Sequence, residues 1–168
     1  MPIIDPVESD PFTDGRQSDN AMRIRRGLER HFAHHECVFL PELALKTGRR
    51  ADLIAMDRKG LFTIVEIKSS IEDFRADNKW PDYLAFCDRY YFATHPGVPQ
   101  DIFPAEEGLI IADQYGAEIV RECVERKLPA ASRKALTLRF ARASAQRLAQ
   151  LTRFAEKQGL TPTFERGD

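Results

Sequence analysis

The sequence lacks the features that define several large classes of protein. Its three cysteines are scattered without CxxC spacing, which argues against a disulfide framework or a zinc ribbon and favours the reducing cytoplasm. No apolar stretch approaches the ~18–20 residues of a membrane helix, and no basic segment followed by an apolar run resembles a signal peptide. No glycine-rich loop has the Walker spacing of a nucleotide-binding protein. We therefore expect a cytoplasmic protein that does not associate with a membrane.

What the chain does contain is typical of one globular domain. It has 168 residues, of which 43% are hydrophobic and 30% charged, enough for one core and too few for two ordinary domains. Residues 1–17 are rich in proline and acids, so we expect a flexible acidic tail there and a single domain over 18–168.

The net charge is −1, but basic residues concentrate in 22–31 and 131–158. These segments form a nucleic-acid-binding surface if they are neighbours, and are otherwise solvated helix faces.

Periodicity and turn residues predict a helix, three strands, a helix, three strands and a final helix. Ser18 is a suitable N-cap for the first helix, Ser70 with Asp73 opens the second, and Pro41 indicates an edge strand or a bulge. The predicted elements cover residues 20–34, 37–45, a hairpin over 49–70, 89–94, two short strands within 108–120, and 131–158. This order predicts an α/β fold in which helices flank a mixed β-sheet.

The predicted hairpin carries charged residues at one end. A three-residue loop over 58–60, with Gly60 in the left-handed conformation of a bulge, makes Asp52 face Glu66. Because side chains alternate along each strand, Asp52, Glu66 and Lys68 then share one face, which is apolar nearer the turn. A two-residue turn would instead put the two acids on opposite faces. The predicted site therefore depends on the type of turn.

Two facing carboxylates about 5 Å apart repel each other unless they share a cation. Lys68 offsets part of their charge, and an oxygen-preferring divalent ion such as Mg²⁺ offsets more. Carboxylates that hold a metal, beside a lysine that orients or polarises water, suit the hydrolysis of a phosphodiester. An acid–x–lysine pattern alone is usually a surface ion pair, and it recurs at residues 125–127. The upstream Asp52 and the strand–turn–strand context distinguish the instance at Glu66.

These residues also carry a resemblance. "ADLIAMDRKGLFTIVEIKSS" is similar to the core of the PD-(D/E)XK nuclease superfamily, and "GRRADLIAMDRKG", "IVEIKSSIEDFRADNKWPDYLAFCDRYYFA" and "GLIIADQYGAE" resemble the MmcB-like bacterial DNA-repair family over about residues 18–140. The resemblance implies a restriction-endonuclease-like three-layer sandwich, a DNA substrate and Mg²⁺ or Mn²⁺. It makes Asp52 and Glu66 the metal ligands and Lys68 the catalytic lysine. The family has a proline before the first acid, where this chain has Ala51.

Further site residues are less strongly indicated. Many relatives add a glutamate from the first helix; Glu29 is the candidate there, Glu42 on the first strand is the alternative, and the sequence leaves the choice open. For Trp80 and Tyr83 we favour packing on the sheet over contact with a base or sugar. Basic residues that border the motif are candidates for contacts with DNA phosphates; they are Arg49, Arg50, Arg75 and Lys79.

Functions of different classes are compatible with this pattern. The first is a Mg²⁺-dependent DNA nuclease that acts in DNA repair. The second is a nucleic-acid-binding or partner-recruiting accessory that has the same fold and little or no turnover, for example with a repair protein as its partner. A third is a structural protein whose acidic segment, residues 72–125, meets a basic partner. Many enzymes of this fold pair as homodimers to cut both strands, so pairing of two copies is a further prediction.

Overall fold

The computed structural model of the protein describes residues 18–165. The predicted acidic tail, residues 1–17, lies outside this part of the chain. The described helices and strands, in chain order, are α1 (Asp19–His34), β1 (Val38–Ala44), β2 (Arg50–Met56), β3 (Phe62–Ile67), α2 (Ile71–Ala76), a 3-10 helix (Trp80–Phe86), β4 (Arg89–Thr94), a 3-10 turn (Gln100–Ile102), β5 (Gly108–Ala112), β6 (Ala117–Arg121) and α3 (Ala130–Lys157).

The strands form one six-stranded mixed sheet whose spatial order follows the sequence, β1 to β6. β1, β2 and β3 pair antiparallel, β3, β4 and β5 pair parallel, and β6 returns antiparallel to β5. The predicted α/β fold with a mixed sheet is confirmed. β1 is an edge strand, which fits Pro41, a residue that has no N–H for a second neighbour.

Helices cover both faces of the sheet, so the fold has three layers. Ile24, Leu28 and Phe32 of α1 pack on one face of the sheet. α2, the 3-10 helix and α3 cover the other face, where α3 buries Leu136 and Phe140. All six residues of β3 are buried, because it lies at the centre of the sheet between the two layers. The two basic segments thus lie in α1 and α3, on opposite sides of the sheet.

The β2–β3 hairpin has the predicted turn. Gly60 has φ +78°, its N–H donates to the Asp57 carbonyl at 3.0 Å, and the Asp57 N–H donates to the Leu61 carbonyl at 3.1 Å. The ladder pairs Met56 with Phe62 and continues in the same register toward the far end. The predicted register is therefore confirmed.

The segment that follows α2 is also helical. It is a 3-10 helix that begins one residue before Pro81, whose missing N–H is tolerated in a first turn. Trp80 stacks on Tyr90 with ring centroids 5.6 Å apart, and Tyr83 is buried in the same cluster. Packing on the sheet, the role that we favoured for these aromatic residues, is what the structure shows.

The Asp88 side chain links α3 to the first residue of β3. Its carboxylate is 1% exposed and accepts a 2.8 Å hydrogen bond from the Phe62 N–H and a 2.9 Å bond from the Leu128 N–H. Arg133 of α3 pairs with it at 2.5 Å. Burial alone would raise the pKa of Asp88, but these hydrogen bonds and the arginine lower it overall. This ion pair, in which Asp88 is buried and Arg133 is 27% exposed, links α3 to its face of the sheet.

Candidate active site

Asp52 and Glu66 meet at the end of the hairpin that lies away from the turn. The backbone ladder ends at the pair Leu53 and Val65, and side chains replace its next bonds. The Asp52 N–H donates to Glu66 Oε1 at 3.1 Å, and the Ile67 N–H donates to Asp52 Oδ2 at 2.8 Å. Each carboxylate is thereby held by the backbone of the opposite strand. The hairpin register alone is enough to orient both acids.

Lys68 is buried beside these acids, with 6% of its surface exposed. Its Nζ lies 2.7 Å from Asp77 Oδ2 and 3.9 Å from Glu66 Oε2. Its backbone is held by β4, since the Lys68 N–H donates to the Ala93 carbonyl at 2.9 Å and the Thr94 hydroxyl donates to the Lys68 carbonyl at 2.7 Å. The structure thus brings the three residues of the predicted site together.

Asp77 is the part of this arrangement that the sequence did not indicate. It directly follows α2, and its other oxygen accepts a 2.9 Å hydrogen bond from the Lys79 N–H. The Lys68 ammonium and these backbone groups lower its pKa, although burial alone would raise it. The only signal in the sequence is an acid shortly after the acid–x–lysine motif. Its contact with Lys68 depends on how α2 returns over the sheet.

The site places two acids where water is largely excluded. Burial raises the pKa of Asp52 to about 6. Burial, with repulsion by Asp52 as the second cause, raises the pKa of Glu66 to about 8. Burial alone would lower the pKa of Lys68, but its hydrogen bond to Asp77 and the nearby carboxylates raise it overall. The lysine is therefore a stable cation, whereas burial disfavours the ionised forms of both acids.

Of the two candidates for a further acid, Glu42 lies near the site. The β1–β2 register pairs Pro41 with Leu53 and Leu43 with Ala51, which places Glu42 opposite Asp52, and the charge of Glu42 helps to raise the pKa of Asp52. Glu42 has φ +51°, a strained value for a residue with a side chain. Its carbonyl is held in that conformation by a 2.8 Å hydrogen bond from Arg147 of α3.

Glu29 lies elsewhere. It pairs with Arg25 along α1 at 3.1 Å, and α1 packs on the face of the sheet opposite to the site. A residue that we did not predict, Asp73, also acts on the site, because its charge raises the pKa of Asp52. The structure therefore favours Glu42 over Glu29, while the role of either glutamate stays a prediction.

The four predicted DNA-contacting residues fall into two pairs. At the start of β2, Arg49 pairs with Asp82 at 2.7 Å and Arg50 with Glu42 at 3.5 Å, so both guanidinium groups already have partners. The other pair, which lies in the segment that carries Asp77, is Arg75 and Lys79. Both are exposed, and among residues 18–165 their side chains make no hydrogen bond or ion pair. These two cations are available to an anionic ligand.

Two tyrosines also border the acids and were not assigned to the site from sequence. The Tyr83 hydroxyl donates to the Arg50 carbonyl at 2.9 Å and so fixes the backbone that leads to Asp52. Tyr90 is 1% exposed, and its hydroxyl has no partner within the described part of the chain. Burial, and then the charge of Glu66, raise the pKa of both phenols above the usual range. Both therefore remain neutral hydroxyls.

The donor set can be compared with what a divalent ion requires. Within residues 18–165, no group of three or more histidine, cysteine or acidic side chains is arranged to hold a metal. Mg²⁺, however, commonly binds through one or two carboxylates, and water and substrate phosphate complete its octahedron. Asp52 and Glu66 supply that minimum. Burial, with repulsion by neighbouring acids as a smaller cause, raises the pKa of both carboxyl groups, and a bound cation would favour their ionised forms. The residues fit a two-carboxylate site of this kind.

Comparisons with known proteins agree with this architecture. Residues 8–155 match the family model described as "DNA repair protein MmcB-like". A solved structure, the SPO1766 protein of unknown function from Silicibacter pomeroyi, is 40% identical and superposes with a TM-score of 0.78 over 89% of this chain and 99% of that one. No curated protein matches the chain, and none of the described helices is long and apolar enough to cross a bilayer. Since the family model spans most of the sequence, the chain belongs to the MmcB-like family.

Proposed function

We propose that this protein is a DNA-repair nuclease of the PD-(D/E)XK type, which hydrolyses DNA phosphodiester bonds with the help of Mg²⁺ or Mn²⁺. The family description supports the role in DNA repair. The observation that carries the nuclease activity is the arrangement of two acids and a cation at one edge of the sheet. Asp52 and Glu66 face each other across the hairpin, and the Lys68 ammonium lies 3.9 Å from Glu66.

Each residue has a distinct task in this proposal. Asp52 and Glu66 would hold the ion, which supplies a Lewis acid for the phosphate oxygen and lowers the pKa of a bound water. Lys68 stays protonated because Asp77 raises its pKa. It therefore donates a hydrogen bond to the attacking water or to a phosphate oxygen, and does not act as the base. Asp77 holds the ammonium in place at 2.7 Å.

A second candidate function is a DNA-binding or partner-recruiting accessory with little or no turnover. One observation favours it: in the described part of the chain, no third carboxylate or histidine joins Asp52 and Glu66 to form a metal site. Two hydrogen bonds from backbone N–H groups also occupy one oxygen of each acid. This arrangement is compatible with a site whose carboxylates stabilise the hairpin edge and bind no metal.

DNA cleavage in Mg²⁺ or Mn²⁺ separates the two functions. Labelled single-stranded, duplex and branched DNA are incubated with the wild type and with Glu66→Gln, which retains the shape and the oxygen that accepts from Asp52. The matched control is Glu107→Gln, since Glu107 is equally buried, 4% exposed, but pairs with Arg126 far along the chain from the motif.

We expect cleavage by the wild type and by the control. Glu66→Gln, which removes a proposed metal ligand, and Lys68→Met, which removes a hydrogen-bond donor, should each lose ~100-fold or more in rate. DNA binding without cleavage by the wild type would support the accessory function. Cleavage that persists in a clean preparation of Glu66→Gln would refute the role given to these acids.

A further inference from the structure

A basic groove lies between the edge strand β1 and helix α3, on the side of the sheet that carries the candidate active site. Its volume is about 600 Å³. Polar lining comes mainly from one face of α3, where residues three or four apart are neighbours; these residues are Arg139, Arg142, Gln146, Arg147 and Gln150. The residue with a negative charge in the lining is Glu42, which already pairs with Arg50 at 3.5 Å. The groove therefore carries a net positive charge.

Its arginines are held in place without being neutralised. Arg147 donates to the carbonyls of Pro41 and Glu42, and Arg139 donates to the Ala44 carbonyl at 3.2 Å. A carbonyl accepts a hydrogen bond but supplies no full negative charge, and each guanidinium has five N–H donors. The side chain of Arg142 is exposed and makes no hydrogen bond or ion pair among residues 18–165. These groups can still bind an anion.

One wall residue of the groove lies beside the acids of the site. Glu42 forms part of its wall and lies opposite Asp52 in the β1–β2 register. From Arg139 to Arg147 the helix rises about 12 Å, which corresponds to roughly three nucleotides of a strand at ~3.4 Å each. Among the described residues that line the groove none is aromatic, so this lining offers contacts to phosphates and no platform for base stacking.

We propose that the α3–β1 groove binds the phosphodiester backbone of one nucleic-acid strand and leads that strand to Asp52 and Glu66. This inference deepens the proposed function and rests on it, because it takes nucleic acid as the ligand of the same site. Contacts to phosphates alone make the binding independent of base sequence. The strand binds through Arg142 and the remaining donors of Arg139 and Arg147.

The test is the salt dependence of binding to a short single-stranded DNA, measured by fluorescence anisotropy in EDTA. The key variant is Arg142→Gln, because the exposed Arg142 side chain makes no hydrogen bond or ion pair among residues 18–165 that the substitution would break. Arg153→Gln is the matched control: it removes the same charge from an exposed position on the same helix, outside the lining of the groove. EDTA prevents metal-dependent cleavage, so binding is measured separately from any nuclease activity.

We expect Arg142→Gln to reduce the slope of log K against log salt by about 0.7, the value for one phosphate contact on a single strand. If the variant and the wild type bind equally at 1 M salt, this difference in slope makes Arg142→Gln roughly five-fold weaker than the wild type at 0.1 M salt. Arg153→Gln should change neither the slope nor the affinity. Equal effects of the two variants, or no binding by the wild type at low salt, would overturn the groove assignment. So would displacement of the DNA by polyglutamate of equal charge, since the groove would then take acidic protein segments. A protein that binds DNA as expected here but does not cleave it in the earlier assay would contradict the nuclease function and leave the groove assignment intact.

Discussion

Replacing Glu66 with glutamine should stabilise the metal-free protein at alkaline pH, although the substitution removes a residue of the proposed active site. Glu66 is 4% exposed, and burial together with repulsion by Asp52 raises its pKa from 4.5 to about 8. The folded protein therefore binds the Glu66 proton more tightly than the unfolded chain does. Stability from this source is complete below about pH 4.5 and is lost as the pH rises to about 8. Glutamine has no proton to lose, so the variant avoids that loss.

The size of the effect follows from the pKa. At about 1.4 kcal/mol for each pH unit, a rise from 4.5 to about 8 corresponds to roughly 5 kcal/mol above pH 8 for an isolated group. Relaxation of the site and entry of water reduce the penalty of a buried charge, so we expect a gain of about 2 kcal/mol. For a chain of this length the midpoint of thermal unfolding would rise by about 4–8 °C.

The assay is thermal and urea unfolding in EDTA at pH 4.5 and pH 8.5. Glu66→Gln should match the wild type at the lower pH and exceed it at the higher one. Glu107→Gln is the control, because Glu107 is equally buried but lies 3.2 Å from Arg126. Its substitution weakens an ion pair with a partly exposed arginine, so it should not stabilise the fold at either pH. A Glu66→Gln variant that is less stable at pH 8.5, or that shows the same difference at both pH values, would refute the electrostatic reasoning.

Two further predictions concern the scaffold. Asp88→Asn leaves Arg133 without its buried partner and should lower the free energy of unfolding by about 3 kcal/mol. Because the pKa of Asp88 is lowered in the folded protein, the difference from the wild type should shrink as the pH falls below about 4. Urea unfolding at several pH values measures both effects. Gly27→Ala places a Cβ 2.1 Å from the Asp113 carbonyl oxygen and should lower the free energy of unfolding by about 3 kcal/mol in the same assay. The control is Gly116→Ala, whose added Cβ has no atom within 4 Å; its stability should stay within about 0.5 kcal/mol of the wild type.

The hairpin could be predicted from sequence because its information is local. Gly60 adopts the positive φ that a bulged three-residue loop requires, and the period of two along each strand then fixes which residues share a face. The facing of Asp52 and Glu66 therefore needed no tertiary information.

Other parts of the site depend on contacts that are distant in sequence. Asp77 reaches Lys68 only because α2 returns over the sheet, and the choice between Glu29 and Glu42 depends on which face of the sheet α1 covers. The hydrogen bonds from Arg147 to β1 join residues more than a hundred positions apart. Amino-acid spacing carries no information about such contacts. The same limit applied to the two basic helices, whose positions on opposite faces were open until the fold was known.

The most direct test of the central claim is calorimetric titration of Mn²⁺ or Mg²⁺ into the wild type, Asp52→Asn, Glu66→Gln and the control Glu107→Gln, without DNA and with a short DNA present. If Asp52 and Glu66 share a metal site, the wild type and the control bind the ion, and both site variants lose binding. Because bound metal requires ionised carboxylates, binding by the wild type should also release protons at pH 7. Binding that is indifferent to both substitutions, or absent in the wild type with and without DNA, would contradict the account.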